Sequence, residues 1–548
     1  MKGRVDQTRW PYTVWRWLLV ANVAALLALA VFFRGWRLDH VPGVNGDEAW
    51  IGVQALRWLD GQSPSWRTPT GNPINVFHFL PQVCLHRLLP PSITLLRMPV
   101  LVSGLLALVV NYVLCRRVFG RAAAVSSTTL LALLPVNIAY SRFAWDASQT
   151  LLFSLPVIYG SLLAVQRPWQ PIRWLLLATA CQLAALVVHP TNVFLAPFPA
   201  LAAGFVFRPL LAAPLRRGGW RWGWLAVAVG SLVAALCLWP WLQLAGRRLV
   251  SPLHYGLFAA HYVDLFSGAT VFRFLTGAAV GASPTASGLY RLAAGSLFLF
   301  GAWGLHREGM MGRTPRLLVG GGALSAAAFF LFAGPGAAAA GNERYAICLV
   351  APGALWLARG LDGWCHRSPV VGQLVCLAAG WMLLVSFYAN YFHFVEATGG
   401  RAHRTFATAP REPKRAAAIW LKAAAADAPG VTAVATEWWN YWPLAYLTFR
   451  DKAIRVVATR GGDAAFGQTA PLPAEVPFLD GFPANSDGGD RGSLRGSGRR
   501  LCFVEFAGSP RAEEIADRLS GRGVAVEVMH VPDGGHRPIL TVLWPVGG

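Results

Sequence analysis

The run WRWLLVANVAALLALAVFFRGWRLDHVPGVNGDEAWIGVQALRWLDG, residues 15–61, joins in one piece an apolar segment, a polar loop and an amphipathic helix. Trp17 to Phe33 carries no charge. A helix needs about 20 such residues to cross a hydrocarbon core of roughly 30 Å. The segment follows Lys2, Arg4, Arg9 and Arg16 as a signal sequence would. No small-residue cleavage site precedes Arg34 and Trp36, so it reads as a retained first span. From Glu48 to Leu59 the residues Trp50, Ile51, Val53, Ala55, Leu56, Trp58 and Leu59 dominate, broken by Gln54 and Arg57. That pattern predicts a helix lying in the membrane interface rather than crossing it.

Further apolar runs of spanning length lie at about 92–115, 122–140, 148–166, 172–188, 191–207, 222–244, 286–305, 317–334, 345–358 and 369–392. Half-length candidates stand at 74–89 and 271–283, so the reading is a polytopic transmembrane helical bundle of about 11–13 spans. Hydrophobic residues make up 55% of the 548 and charged residues only 14%, where soluble proteins carry about a quarter charged. Residues 1–394 hold 30 Arg and Lys against 10 Asp and Glu, whereas 395–548 hold 18 against 16. The net charge of +22 therefore belongs to the membrane part, and two domains follow: 1–394 in the bilayer and 395–548 in water. The arginines sit in short loops and form no continuous basic face, which excludes nucleic acid and favours anionic head groups and phosphates. The eight cysteines show neither a disulfide framework nor a zinc spacing.

Arginine bias places the N-terminus in the cytoplasm, with Arg116, Arg117, Arg121, Arg167 and Arg173 among the inner loops. Seven of the ten acids before residue 395 then fall outside: Asp39, Asp47, Glu48, Asp60, Asp146, Asp264 and Glu343. With eleven spans the C-terminal part also emerges on the extracytoplasmic side; an even count would reverse that. It reads as a small α/β domain: a helix at Pro413 to Ala426, strand-like VTAVAT and LCFVEF, a helix at Pro510 to Ser520, then VAVEVMHV and ILTVLW. Residues 461–500, rich in Gly, Pro, Ser and Asp, read as a flexible insertion.

On the outer side the first loop, 35–75, places Asp47 and Glu48 at the start of its helix. N-capping explains such acids as readily as chemistry does. The second outer loop, SRFAWDAS, puts Arg142 and Asp146 four apart, in position either to snorkel or to hold an ion or phosphate. HPTN at His189 is either turn chemistry or a pocket wall, and GNERY brings Glu343 and Arg344 to an outer helix entrance. Acids, a histidine and arginines recurring on one side beside lipid-facing helices suit a reaction on a lipid-borne phosphate. One carboxylate takes a proton from an attacking hydroxyl while cations stabilise the departing phosphate.

The long first loop with GDEAW, the SRFAWD turn, HPTN, and NERYAICLVAPGALWLA together resemble the GT-C superfamily of polyprenyl-phosphate-sugar glycosyltransferases. The branch most resembled holds protein O-mannosyltransferases and the bacterial aminoarabinose (lipid A) transferases, and the likeness covers roughly residues 30 to 360. The resemblance implies transfer of one sugar, with inversion, from an undecaprenyl-type phosphate donor to a lipid, glycan or protein acceptor, in the bacterial inner membrane. It makes Asp47 the base, with Glu48 beside it and Asp146 as second acid. Arg142 and Arg344 bind the donor phosphate in this reading, and Glu343 and His189 line the pocket. A divalent metal, its identity open, would fall to Glu48 and His189. Where many relatives carry Lys-Pro-Pro, this chain has GNPINVFHFL, with His78 in place of the usual lysine. A lipid-linked glycan flippase or transporter would instead predict mid-span polar residues and internal repeats. An inactive partner-binding subunit would share every one of these features.

Overall fold

A computed structural model describes residues 9–212, 264–279, 296, 312–332, 343–458 and 500–546, apart from 69, 70, 168, 368, 409–411, 428, 522 and 533–537. The expected spans at 222–244 and 286–305 and the insertion at 461–500 lie outside the described residues, save Ser296 and Arg500.

The membrane part opens with α1 (Arg9–Gly35), α2 (Gly46–Leu59), α3 (Val76–Leu88), α4 (Ile93–Phe119) and α5 (Arg121–Leu133). It continues through α6 (Pro135–Tyr140), α7 (Thr150–Gln166), α8 (Pro171–Val188), α9 (Pro197–Ala212), α10 (Ala269–Leu275) and α11 (Arg313–Phe332). α12 (Val350–Arg367), α13 (Pro369–Phe387) and α14 (Phe394–Thr398) complete it. Among the described residues seven segments are long and apolar enough to cross a membrane: Val14–Gly35, Ile93–Phe119, Asp146–Gln166, Pro171–Val188, Pro190–Arg208, Tyr345–Cys365 and Pro369–Thr398.

The run at 122–140 differs from expectation: it forms two helices. Pro135 has no N–H to continue the ladder and its ring displaces the preceding carbonyl, so α5 stops at Leu133. Asn137 mends the break by donating to Leu131 O at 3.0 Å. α2 stands where the amphipathic pattern puts it, but protein covers it nearly all round, with every residue from Glu48 to Leu56 buried. Val44, Trp50, Val53, Leu56, Phe79, Leu96 and Val100 form one core with Trp442 and Tyr446 from the far end of the chain.

Those aromatics belong to the C-terminal unit: α15 (Pro413–Ala426), β1 (Val431–Ala435), α16 (Trp438–Leu447), β2 (Ile454–Ala458), β3 (Arg500–Phe506), α17 (Pro510–Ser520), β4 (Ala525–Pro532) and β5 (Pro538–Val546). The sheet order is β2-β1-β3-β5-β4, with β1 parallel to β2 and β3, and β5 antiparallel to β3 and β4. β1 is buried along its whole length, as a strand covered on both faces must be. Ala433, Cys502 and Val504 face Ala417, Leu421 and Leu444 from α15 and α16, while Val434 and Phe503 face Ile515 and Leu519 of α17. Chains leaving β1 and β3 thus turn to opposite faces of the sheet. The ends of these two strands meet where Thr436 donates to Glu505 from its N–H, at 2.8 Å, and from its hydroxyl, at 2.7 Å.

Candidate active site

The first turn of α2 is built by Asn45. Its side chain accepts from Glu48 N–H at 2.9 Å, and Glu48 Oε2 accepts from Asn45 N–H at 3.2 Å, the reciprocal pair of a capping box. Glu48 is fully buried. Arg97 of α4, also fully buried, donates from Nε to Glu48 Oε1 and from Nη2 to Oε2, each at 2.8 Å. Ala144 N–H donates to Oε1 at 2.8 Å. Two oxygens offer about four acceptor positions, and all four are filled. Glu48 therefore has no lone pair left for a substrate proton or for the metal it was expected to share with His189. It ties α2, α4 and the 141–145 turn together.

Asp47 points the other way and is half-buried. Its Oδ1 accepts from the Trp438 indole N–H at 3.1 Å. Its negative charge reaches Asp146, the first residue of the turn leading into α7. Asn75, which caps α3, donates to Asp146 O at 3.3 Å and to Gln149 Oε1 at 3.0 Å, so α3 holds that turn in place. The carboxylate of Asp146 takes no hydrogen bond from any described residue.

Beside Asp146, Trp145 meets the His189 ring edge-on at 5.3 Å and the Tyr345 ring at 5.8 Å, and His189 stacks on Tyr345 at 6.1 Å. His189 Nδ1 accepts from Thr191 N–H at 3.3 Å and lies 2.7 Å from Thr191 Oγ1, which fixes the ring at the head of the Pro190–Leu195 turn. Tyr345 belongs to the turn Glu343–Leu349. The side chains of Glu343 and Arg344, which open that turn, lie outside the described residues. The fold thus draws Asp47, Asp146, His189 and the 343–349 turn to one end of the bundle.

Arg142 and His78 are placed differently from expectation. Arg142 is fully buried and donates to the carbonyls of Phe33, Arg37 and Val41, with the Phe392 ring 4.8 Å and the Tyr391 ring 5.7 Å from its guanidinium carbon. Burial lowers it to about 10, so it stays cationic near neutrality while clamping the loop that leads to α2. That clamp holds Arg37 in the left-handed region, φ 54°, which an L side chain enters at a cost. His78 is buried on the inward face of α3 beside Gln82, and its Nδ1 has no partner among the described residues. Among the described residues no three His, Cys, Asp or Glu side chains converge to hold a metal ion.

Trp438, Arg97 and Asn75 were not anticipated as site residues. Arg97 carried a signal, being a lone charge inside an apolar run, which in a membrane helix demands a partner. Nothing in the sequence tied Trp438 to a residue 391 positions earlier.

These features define a class: a polytopic membrane protein whose paired carboxylates stand at the end of a helical bundle, roofed by an α/β unit. No family model and no curated protein matches the chain. Among solved structures, ArnT from Cupriavidus metallidurans bound to undecaprenyl phosphate matches with a TM-score of 0.51 at 16% identity, over 97% of this chain and 98% of that one. The archaeal oligosaccharyltransferase AglB from Archaeoglobus fulgidus, in complex with an inhibitory peptide and a dolichol-phosphate, matches with a TM-score of 0.45 at 13% identity, over 90% of this chain and 69% of that one. The chain has the GT-C fold.

Proposed function

We propose that the chain is a membrane glycosyltransferase that moves one sugar from a polyprenyl-phosphate donor to an acceptor hydroxyl, with inversion at the anomeric carbon. The observation that carries this reading is the meeting of Asp47 and Asp146 beside the His189 and 343–349 turns, in the fold of an enzyme solved with undecaprenyl phosphate bound. Asp47 takes the proton from the acceptor O–H as its oxygen bonds to the anomeric carbon. The bond from that carbon to the phosphate oxygen breaks, and polyprenyl phosphate leaves. A single displacement inverts the centre. Asp146 orients the acceptor from across the cleft, His189 and Tyr345 line it, and Arg344 meets the charge of the departing phosphate. Arg142 and Glu48, with their hydrogen bonds already made, hold the loop and helix that present Asp47. In this reading the site and the α/β unit face the extracytoplasmic side of a bacterial inner membrane, an orientation that the arginine bias of the loops supports.

Asp47→Asn keeps the shape of the side chain and removes the base. It is expected to lower transfer at least about 10³-fold with expression and melting temperature unchanged. The assay is mass spectrometry of polyprenyl-phosphate sugars and their products in membranes carrying either form. Normal turnover in this variant would end the proposal.

A further inference from the structure

We propose that Trp438 is a positioning residue for Asp47, so that the α/β unit supplies part of the catalytic apparatus instead of serving as an appendage. The inference rests on the reading of Asp47 as the base. A carboxylate on a short side chain turns broadly about its last torsion. The indole N–H on Oδ1, at 3.1 Å, restrains that rotation on the carboxylate whose charge reaches Asp146.

Several independent features bring the indole there. Trp438 is the first residue of α16, which starts two residues after Thr436, and Thr436 is pinned by both of its bonds to the buried Glu505. Its ring packs edge-on against Trp442 at 5.4 Å, and Trp442 is buried in the core shared with α2. Residue 46 has no side chain, and a Cβ there would stand 2.3 Å from Trp438 Cδ1 and 2.4 Å from Nε1. Glycine at this position is what lets the indole lie over the first turn of α2. A tryptophan placed only to fill space needs no such opening next to an acid, nor a donor aimed at it. A donor that holds a reacting carboxylate acts on the transition state through geometry, and so appears in kcat rather than in donor affinity.

The test uses the full chain in proteoliposomes of total membrane lipid, with a panel of undecaprenyl-phosphate-linked hexoses and pentoses as donor probes and undecaprenyl phosphate as binding probe. Trp438→Phe keeps the ring and deletes the N–H. It should lower kcat about 10- to 100-fold, the usual worth of a hydrogen bond to a charged group, with donor KM and undecaprenyl phosphate binding within about 2-fold of wild type. Gly46→Ala, which pushes the indole away, should reproduce that pattern. Trp438→His, which restores a ring N–H, should recover part of the loss. Wild-type kcat in Trp438→Phe would overturn the proposal. So would an equal collapse of Trp438→Phe and Trp438→His in which probe binding and melting temperature fall together, since that marks a packing role. A double-mutant cycle with Asp47→Ala, read by thermal unfolding, needs no turnover: coupling between the positions supports the bond, and additive losses overturn it. Full activity in Asp47→Asn removes the catalytic reading and this one with it. An inactive Asp47→Asn beside an unaffected Trp438→Phe removes the positioning role alone.

Discussion

Two neighbouring acids with the same charge have opposite settings in this chain, and the difference lies in what each carboxylate can reach. Asp47 and Glu48 are indistinguishable as a dipeptide. One extra methylene carries Glu48 inward to Arg97, 49 residues away, while Asp47 stays half-buried under the Trp438 indole. The fold predicts different failures for the two. Glu48→Gln leaves the Arg97 guanidinium buried without its counter-charge, a loss of about 3–5 kcal/mol. It is expected to melt earlier in detergent and to accumulate poorly, whereas Asp47→Asn folds normally. Glu48→Met with Arg97→Met removes both charges and should recover much of the stability. A Glu48→Gln protein as stable as wild type would contradict the pair's structural role. The position of Asp47 at the head of an amphipathic helix in a long loop was legible. The inward turn of Glu48 was not, because a capping box and a charge partner are visible only once α2 and α4 pack.

At the scale of elements, legibility followed periodicity. Pro413–Ala426 and Pro510–Ser520 form the helices their patterns predict, each with a proline at the first turn and one polar face. α16, TEWWNYWPLAYL with the two residues before it, shows no such alternation, because α2 covers one side of it and the sheet the other. Its aromatics made sense only as a shared core. Docking of α16 also rests on one hydroxyl: Tyr446 Oη lies 2.8 Å from His86 Nε2 and 3.0 Å from Ser92 O, and accepts from Ser92 N–H at 3.2 Å. Tyr446→Phe leaves buried polar groups of α3 and the α4 cap unpaired, at about 1–3 kcal/mol. The expected outcome is a lower melting temperature and faster protease cleavage between residues 399 and 412. Unchanged cleavage would show that the apolar core alone seats the α/β unit.

Across the whole molecule, one core joins residues of the first loop to residues beyond 430, so the stability of the α/β unit bears on the geometry around Asp47. Residues 1–394 and 395–548 differ in charge balance as a membrane part and a water-soluble part do, but the core that Val44, Trp50 and Val53 share with Trp442 and Tyr446 is written in no local pattern. Glu505 makes the connection measurable. Burial pushes it up from an ordinary 4.5 to about 8, against the lowering effect of its two bonds from Thr436. Between these values the folded chain holds a proton that the unfolded chain has released. Stability from this group therefore declines as pH rises from about 4.5 to about 8 and levels off above that. Glu505→Gln keeps an acceptor for Thr436 N–H and a donor for its hydroxyl but cannot ionise. Relative to wild type it should raise the melting temperature by roughly 5 °C at pH 7.5, with little gain near pH 5. Thermal unfolding of the full chain in detergent, followed by indole fluorescence across that range, checks it. A variant that tracks the wild-type curve in parallel would mean that Glu505 does not carry the slope, and that the turn bearing Trp438 is held without a buried proton.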